Sequence, residues 1–284
     1  MSIVNPVNII VNIKLVCGLF SNIIVAEFMM MWTLNIFCSC YFLMLNFVST
    51  SDLTQCGRAN VASSTLLFAI SDGVSDSSEI IAPWLAAVGA IRNDSDGFET
   101  FVLACSGTIL TRKMILSAAH CFDDGVPIYP EIVRTGVTRT DQANPQDRRI
   151  SQVLIHPARN NKDWYYDLAL VIVTSDLLFN GKVASLCLPD EPSRHPGDGV
   201  TILVQGWGED VNGVVGKQIS EATVSVRSSE ECDSRYSSAG PSSLDEVRTF
   251  LPRLTDNILI CADSTLDIQV GACQGDSGGP ALIR

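Results

Sequence analysis

Positive charge is scarce in this 284-residue chain: 19 lysines and arginines face 31 aspartates and glutamates, a formal net charge of −12 at pH 7. Neutralising nucleic-acid phosphates requires a basic surface, so this balance argues against a nucleic-acid partner and is read as a solubility feature. The ten cysteines include no Cys-x-x-Cys pair, so a zinc site of that spacing has no support, and no cofactor or other metal is expected. There is no internal repeat or low-complexity block, and long helical patterns are few. Charged residues make up only 18% of the chain, while hydrophobic residues make up 46%, many of them in the first fifty positions. What remains is ample length for a core and enough cysteine to imply disulfides and an oxidising compartment.

Residues 1–50 carry almost no charge beyond Lys14 and Glu27, and an uncharged, largely apolar stretch runs from Phe28 to Val48. That length could cross a bilayer as a helix, yet it ends in the small polar residues Ser49, Thr50 and Ser51, as a cleavage region would. The expectation is a cleaved signal peptide and a secreted protein; a retained membrane anchor is the alternative. No basic segment precedes the apolar run, which fits a start within Met29–Met31. Cys17, Cys38 and Cys40 then fall outside the mature protein.

From Ser51 onward the composition becomes that of a globular domain. Short apolar or alternating runs recur at 101–103, 108–110, 114–117, 168–173, 200–204 and 222–226, divided by turn pairs such as Asp124-Gly125 and Asn180-Gly181. This pattern predicts an all-β sandwich or barrel, with one short helix near Ser228–Tyr236. Asn93-Asp94-Ser95 forms a glycosylation sequon in a polar loop.

Three residues stand out chemically. Ser277 lies in Gly275-Asp276-Ser277-Gly278-Gly279-Pro280, where glycines permit a turn that aims backbone N–H groups at one point. His120 follows an apolar strand and is flanked by Ala118, Ala119 and Cys121, small neighbours that leave both ring nitrogens accessible. His156 and His195 look like loop residues without a role. Asp167 opens the apolar run 168–173 after Trp164-Tyr165-Tyr166, where a partly buried acid needs hydrogen-bond donors. Serine needs a base to become nucleophilic; His120 is the expected base, and Asp167 would accept its Nδ1–H and so fix the tautomer, a logic borrowed from the Ser-His-Asp triad. The N–H groups of Gly275 and Ser277 are the expected oxyanion donors.

Ser-Ala-Ala-His-Cys at 117–121, Asp-Leu-Ala-Leu at 167–170, Gly-Trp-Gly at 206–208 and Gly-Asp-Ser-Gly-Gly-Pro at 275–280 together resemble the chymotrypsin-like serine proteases. Pro83-Trp84 and Cys187-Leu188-Pro189 match subsidiary landmarks, and the resemblance covers residues 56–284. It implies two antiparallel Greek-key β-barrels and an organisation of signal or anchor (1–50), propeptide or linker (51–69) and catalytic domain (70–284). The implied activity is endopeptidase chemistry through an acyl-enzyme. Its partners would be protein or peptide substrates, an activating protease and inhibitors, with the membrane only if the first segment is retained.

The resemblance further implies the disulfides Cys105–Cys121, Cys232–Cys261 and Cys56–Cys187, the last tying the propeptide to the catalytic domain. One customary bridge is replaced at both ends, by Ile202 and Ile283. Cys273 is left over; its family partner lies downstream, and the sequence stops seven residues after Ser277, so a C-terminally truncated domain with an incomplete second barrel is expected. Activation would free Ile70 to pair with Asp276, although Ala69 stands where a trypsin-type activator wants a basic residue. Gly271, six positions before Ser277, replaces the aspartate of trypsin-like specificity pockets, which leans towards an apolar or small P1 residue. A non-catalytic protease homologue acting as a binding or regulatory module, or an inactive fragment, is the alternative.

Overall fold

The computed structural model describes residues 56, 82–159, 166–188, 196–209, 215–238, 260–264 and 274–283. The N-terminal segment, Ile70, His195, Gly271 and Cys273 lie outside the described residues.

The chain opens on β1 (Leu85–Asn93), β2 (Glu99–Ile109) and β3 (Met114–Ser117), and a single 3-10 turn (Ala119–Phe122) leads to β4 (Ile132–Thr135), β5 (Gln146–Ile155) and β6 (Ala169–Val173). These six close into a barrel in the order β1-β2-β3-β6-β5-β4, with every neighbouring pair antiparallel. The chain thus leaves β3 for β4 without pairing them, and closure removes the free edges that an open sheet would present. Val88, Ile109, Ile115, Val133, Val171 and Val173 fill the interior.

The second half contributes β7 (Thr201–Gly206), β8 (Ser220–Arg227), α1 (Ser229–Ser238), β9 (Cys261–Ser264) and β10 (Ala281–Ile283). Among the described residues its strands form a four-stranded antiparallel sheet, β10-β7-β8-β9, with a core of Ile202, Val204, Val224, Val226 and Ile260. Ser228 caps α1: its hydroxyl accepts the Glu231 N–H at 3.1 Å, and Glu230 and Glu231 place negative charge at the positive end of the helix dipole.

Trp207 links the two halves. It is fully buried against Leu85, Ala87, Val137 and Ile219, and its indole N–H donates to the Thr138 carbonyl at 3.1 Å. Successive side chains of β1 therefore face different cores, Ala86 and Val88 the barrel interior, Leu85 and Ala87 the Trp207 cluster. Disulfides join Cys105 on β2 to Cys121 in the 3-10 turn, Cys232 on α1 to Cys261 on β9, and Cys56 to Cys187.

The β7–β10 register sets Ile202 opposite Ile283, so the two positions that resemble a lost cysteine pair are cross-strand neighbours. Ile202→Cys/Ile283→Cys is expected to oxidise to a disulfide and stabilise the fold by roughly 3–4 kcal/mol through loop closure. Thiol titration and urea unfolding with and without reductant measure both effects. Two more titratable thiols than wild type in the folded, non-reduced variant would mean that β7 and β10 pair in another register.

Candidate active site

His120 owes its place to the way β3 ends. After Ser117 the chain stays extended at Ala118, then tightens into the 3-10 turn. Ala119, Cys121 and Phe122 bury themselves, and the Cys105–Cys121 bond fixes the turn to β2. The histidine side chain is left 47% exposed, able to meet a ligand while its backbone is held.

Asp167 reaches the same place from the mouth of β6. Its Oδ1 accepts the His120 backbone N–H at 2.8 Å, and its Oδ2 lies 2.5 Å from His120 Nδ1. Burial pushes this carboxyl upward, but hydrogen bonds and charge from His120 and the charge of Arg159 outweigh it, holding Asp167 below the ordinary value of 3.8. An ionised carboxylate only accepts, so Nδ1 carries a proton, and in the neutral ring the lone pair then lies on Nε2. That is the tautomer a general base needs.

Arg159 is the residue the sequence reading missed. Its guanidinium, only 7% exposed, donates through Nη1 to Asp167 Oδ1 at 2.5 Å and through Nη2 to Asp123 Oδ2 at 2.6 Å. A single arginine in a polar loop reads as solvated, and no spacing rule in the sequence marks it. His156 needs a similar revision. A loop residue as expected, just past β5, it is nevertheless buried and stacked on Tyr166 with ring centroids 5.0 Å apart. Its Nδ1 accepts the Ala158 N–H at 3.1 Å and its carbonyl accepts the Arg159 N–H at 3.0 Å. Desolvation lowers the His156 pKa, which favours the neutral ring that can accept in this way.

Ser277 sits in a loop bent through Gly275 (φ 100°) and Gly278 (φ 83°), both in the region that disfavours side chains. Ser106 on β2 holds this loop twice: its N–H donates to the Ser277 carbonyl and its hydroxyl to the Gly275 carbonyl, each at 2.9 Å. Ser117 donates to the Ser106 carbonyl at 2.8 Å. A Cβ at Gly278 would fall 2.5 Å from Ser117 Oγ and 2.7 Å from the Ala118 nitrogen. The serine loop thus lies against the residues that lead into His120.

Asp276 turns the other way, its Oδ1 accepting the Gly208 N–H at 2.6 Å. A side chain at Gly206 or Gly208 would collide with this carboxylate, which explains two glycines that served in the sequence only as a landmark. Pairing of Asp276 with Ile70, and the pocket position Gly271, fall outside the described residues. Cys105, His120 and Cys121 offer ligand atoms within 4.8 Å of one another, but both sulfurs are spent in a disulfide and offer no thiolate to a metal.

The chain order His120, Asp167, Ser277 on a β-barrel followed by a second antiparallel sheet is that of chymotrypsin-like proteins. A family model described as Trypsin matches residues 72–284, and the chain belongs to the trypsin family of serine proteases. It is 29% identical over 203 residues to Serine protease Hayan of Drosophila melanogaster, covering 69% of this chain and 30% of that protein. With Trypsin, alkaline B of Manduca sexta it shares 31% over 206 residues, covering 70% of each. The solved structure of neuropsin, a serine protease expressed in the limbic system of mouse brain, superposes with a TM-score of 0.52 at 23% identity, covering 71% of this chain and 77% of the other, a likeness of fold.

The lowered pKa of Asp167 makes stability depend on pH with a definite sign. The ionised carboxylate stabilises the fold above its unfolded value near 3.8, and this contribution is lost as pH falls through the lower folded value. In urea unfolding followed from about pH 6 to about pH 2, wild type should exceed Asp167→Asn at the upper end, and the gap should close below pH 3.8. A gap that stays constant throughout would show that Asp167 does not titrate with folding.

Proposed function

We propose that this protein is a secreted serine endopeptidase that cleaves peptide bonds through an acyl-enzyme, with Ser277 as nucleophile, His120 as base and Asp167 as its orienting acid. The observation that carries this reading is the bond between His120 Nδ1 and Asp167 Oδ2, which leaves Nε2 on a half-exposed ring as the acceptor. In the first step Ser277 Oγ attacks the scissile carbonyl while Nε2 takes its proton. The N–H groups of Gly275 and Ser277 stabilise the oxyanion, and the imidazolium returns the proton to the leaving amine. Water then enters by the same base and hydrolyses the acyl-enzyme.

Zymogen control fits the same loop. Cleavage before Ile70 would release an ammonium group to pair with Asp276, ordering the oxyanion donors, while residues 51–69 stay attached through Cys56–Cys187. Residues 70–284 would then form the catalytic domain. Gly271 favours an apolar or small P1 residue, since no carboxylate stands there to balance a buried cation. Asn93, at the exposed end of β1, would carry a glycan.

A fluorophosphonate should label the secreted, processed protein at Ser277, and esters with an apolar or small P1 residue should be hydrolysed. Ser277→Ala should abolish labelling and lower kcat by about a millionfold. Folded wild-type protein that neither labels nor hydrolyses would instead be a non-catalytic homologue. Mass spectrometry of the same material should find a new N-terminus at Ile70, residues N-terminal to it held by disulfide, and a glycan on Asn93. A start at Ala59, or an unmodified Asn93, would contradict the corresponding assignment.

A further inference from the structure

We propose that Arg159 is a positioning residue for the reaction, a planar brace that fixes Asp167 and the His120 turn relative to each other; this rests on the roles given above to Ser277, His120 and Asp167. The geometry is specific. Asp167 Oδ1 receives two donors, the His120 N–H at 2.8 Å and Arg159 Nη1 at 2.5 Å, which leaves Oδ2 for the ring Nδ1. The other arm of the guanidinium holds Asp123, the residue that ends the 3-10 turn and whose own N–H donates to the His120 carbonyl at 3.3 Å. One rigid group therefore grips the acid and the exit of the turn that bears the base.

An incidental surface pair would not look like this. At 7% exposure the guanidinium has lost most of its water, an arrangement that is costly unless its donors are matched. Both arms are matched by carboxylates, and the backbone of Arg159 is held in the His156 turn. Without the brace, Asp167 could rotate and carry Oδ2 away from Nδ1, and the ring would lose the orientation that the Nδ1–Oδ2 bond gives it. A lysine could not replace it fully, because an ammonium is a point charge without two fixed arms.

Arg159 acts through Asp167 and touches no substrate in this scheme, so its loss should appear in kcat and not in KM. Arg159→Met is expected to lower kcat about ten- to hundredfold with KM within about twofold, the scale of a misplaced catalytic group. Arg159→Lys should lie between this variant and wild type, and Asp123→Asn should show a smaller loss. A second readout is independent of turnover. In the Ser277→Ala chain, the Nδ1 proton should give a resonance downfield of the amide envelope, lost in Ser277→Ala/Arg159→Met while the remaining spectrum stays dispersed. Wild-type kcat and a retained resonance in folded Arg159→Met would overturn the brace. Should that variant fail to fold, Arg159→Lys decides: a lowered kcat at constant KM supports the proposal, and a wild-type kcat overturns it. If wild type shows no hydrolysis at all, the endopeptidase reading fails, and the resonance still decides whether Arg159 orients Asp167.

Discussion

The site depends on a carboxylate that would be unstable alone. Asp167 is four-fifths withdrawn from solvent at the mouth of β6, and it stays ionised because three donors surround it: the His120 N–H, the His120 ring and Arg159. Each bond has a second consequence. The ring bond selects the tautomer of His120, the backbone bond holds the 3-10 turn against the start of β6, and the guanidinium bond extends the network to Asp123. The barrel makes this possible by pairing β3 with β6, strands far apart in sequence, so that Ser117 faces Ala169 and both strands deliver their ends to one rim. The histidine leaves from one of these ends and the aspartate arrives at the other.

How much of this was readable beforehand follows from what kind of signal each part leaves. His120, Asp167 and Ser277 lie in short runs where small residues, an apolar strand and glycines have local reasons to occur together, and those runs survive in a linear reading. Two strands were similarly legible: β3 by the short apolar run Met114–Leu116, and β8 by the alternation of Ala222, Val224 and Val226 with polar residues. Strand β1 did not, because its two faces enter two cores and the residues from Leu85 to Val88 read as one apolar run. Strand β5 was hidden for the opposite reason, its Gln146–Ser151 half being mostly polar and only half-buried, so that only its pairing with β4 and β6 reveals it. The runs at 101–103 and 108–110 looked like two strands but fall in one, since after a bulge at Ala104 the small residues Cys105 to Gly107 resume the ladder with β1. Arg159 and His156 were illegible in principle: their meaning lies in a charge and a ring brought against them by the return of the chain.

The serine loop shows why two sheets are needed for one site. It is suspended between them. Ser106, on the barrel, holds the carbonyls of Gly275 and Ser277, while Asp276 reaches past to the Gly208 N–H just beyond β7. Further on, the chain enters β10 and pairs with β7 itself. The position of Ser277 relative to His120 is therefore set by how the second sheet sits on the barrel, and Trp207, buried against Leu85 and Ala87 of β1, sets that seating. Trp207 stands between Gly206 and Gly208, the two glycines whose missing side chains make room for the Asp276 carboxylate. A bulky anchor flanked by two vacancies thus performs two tasks in three residues, docking one sheet on the other and leaving a socket for the Asp276 carboxylate beside Ser277.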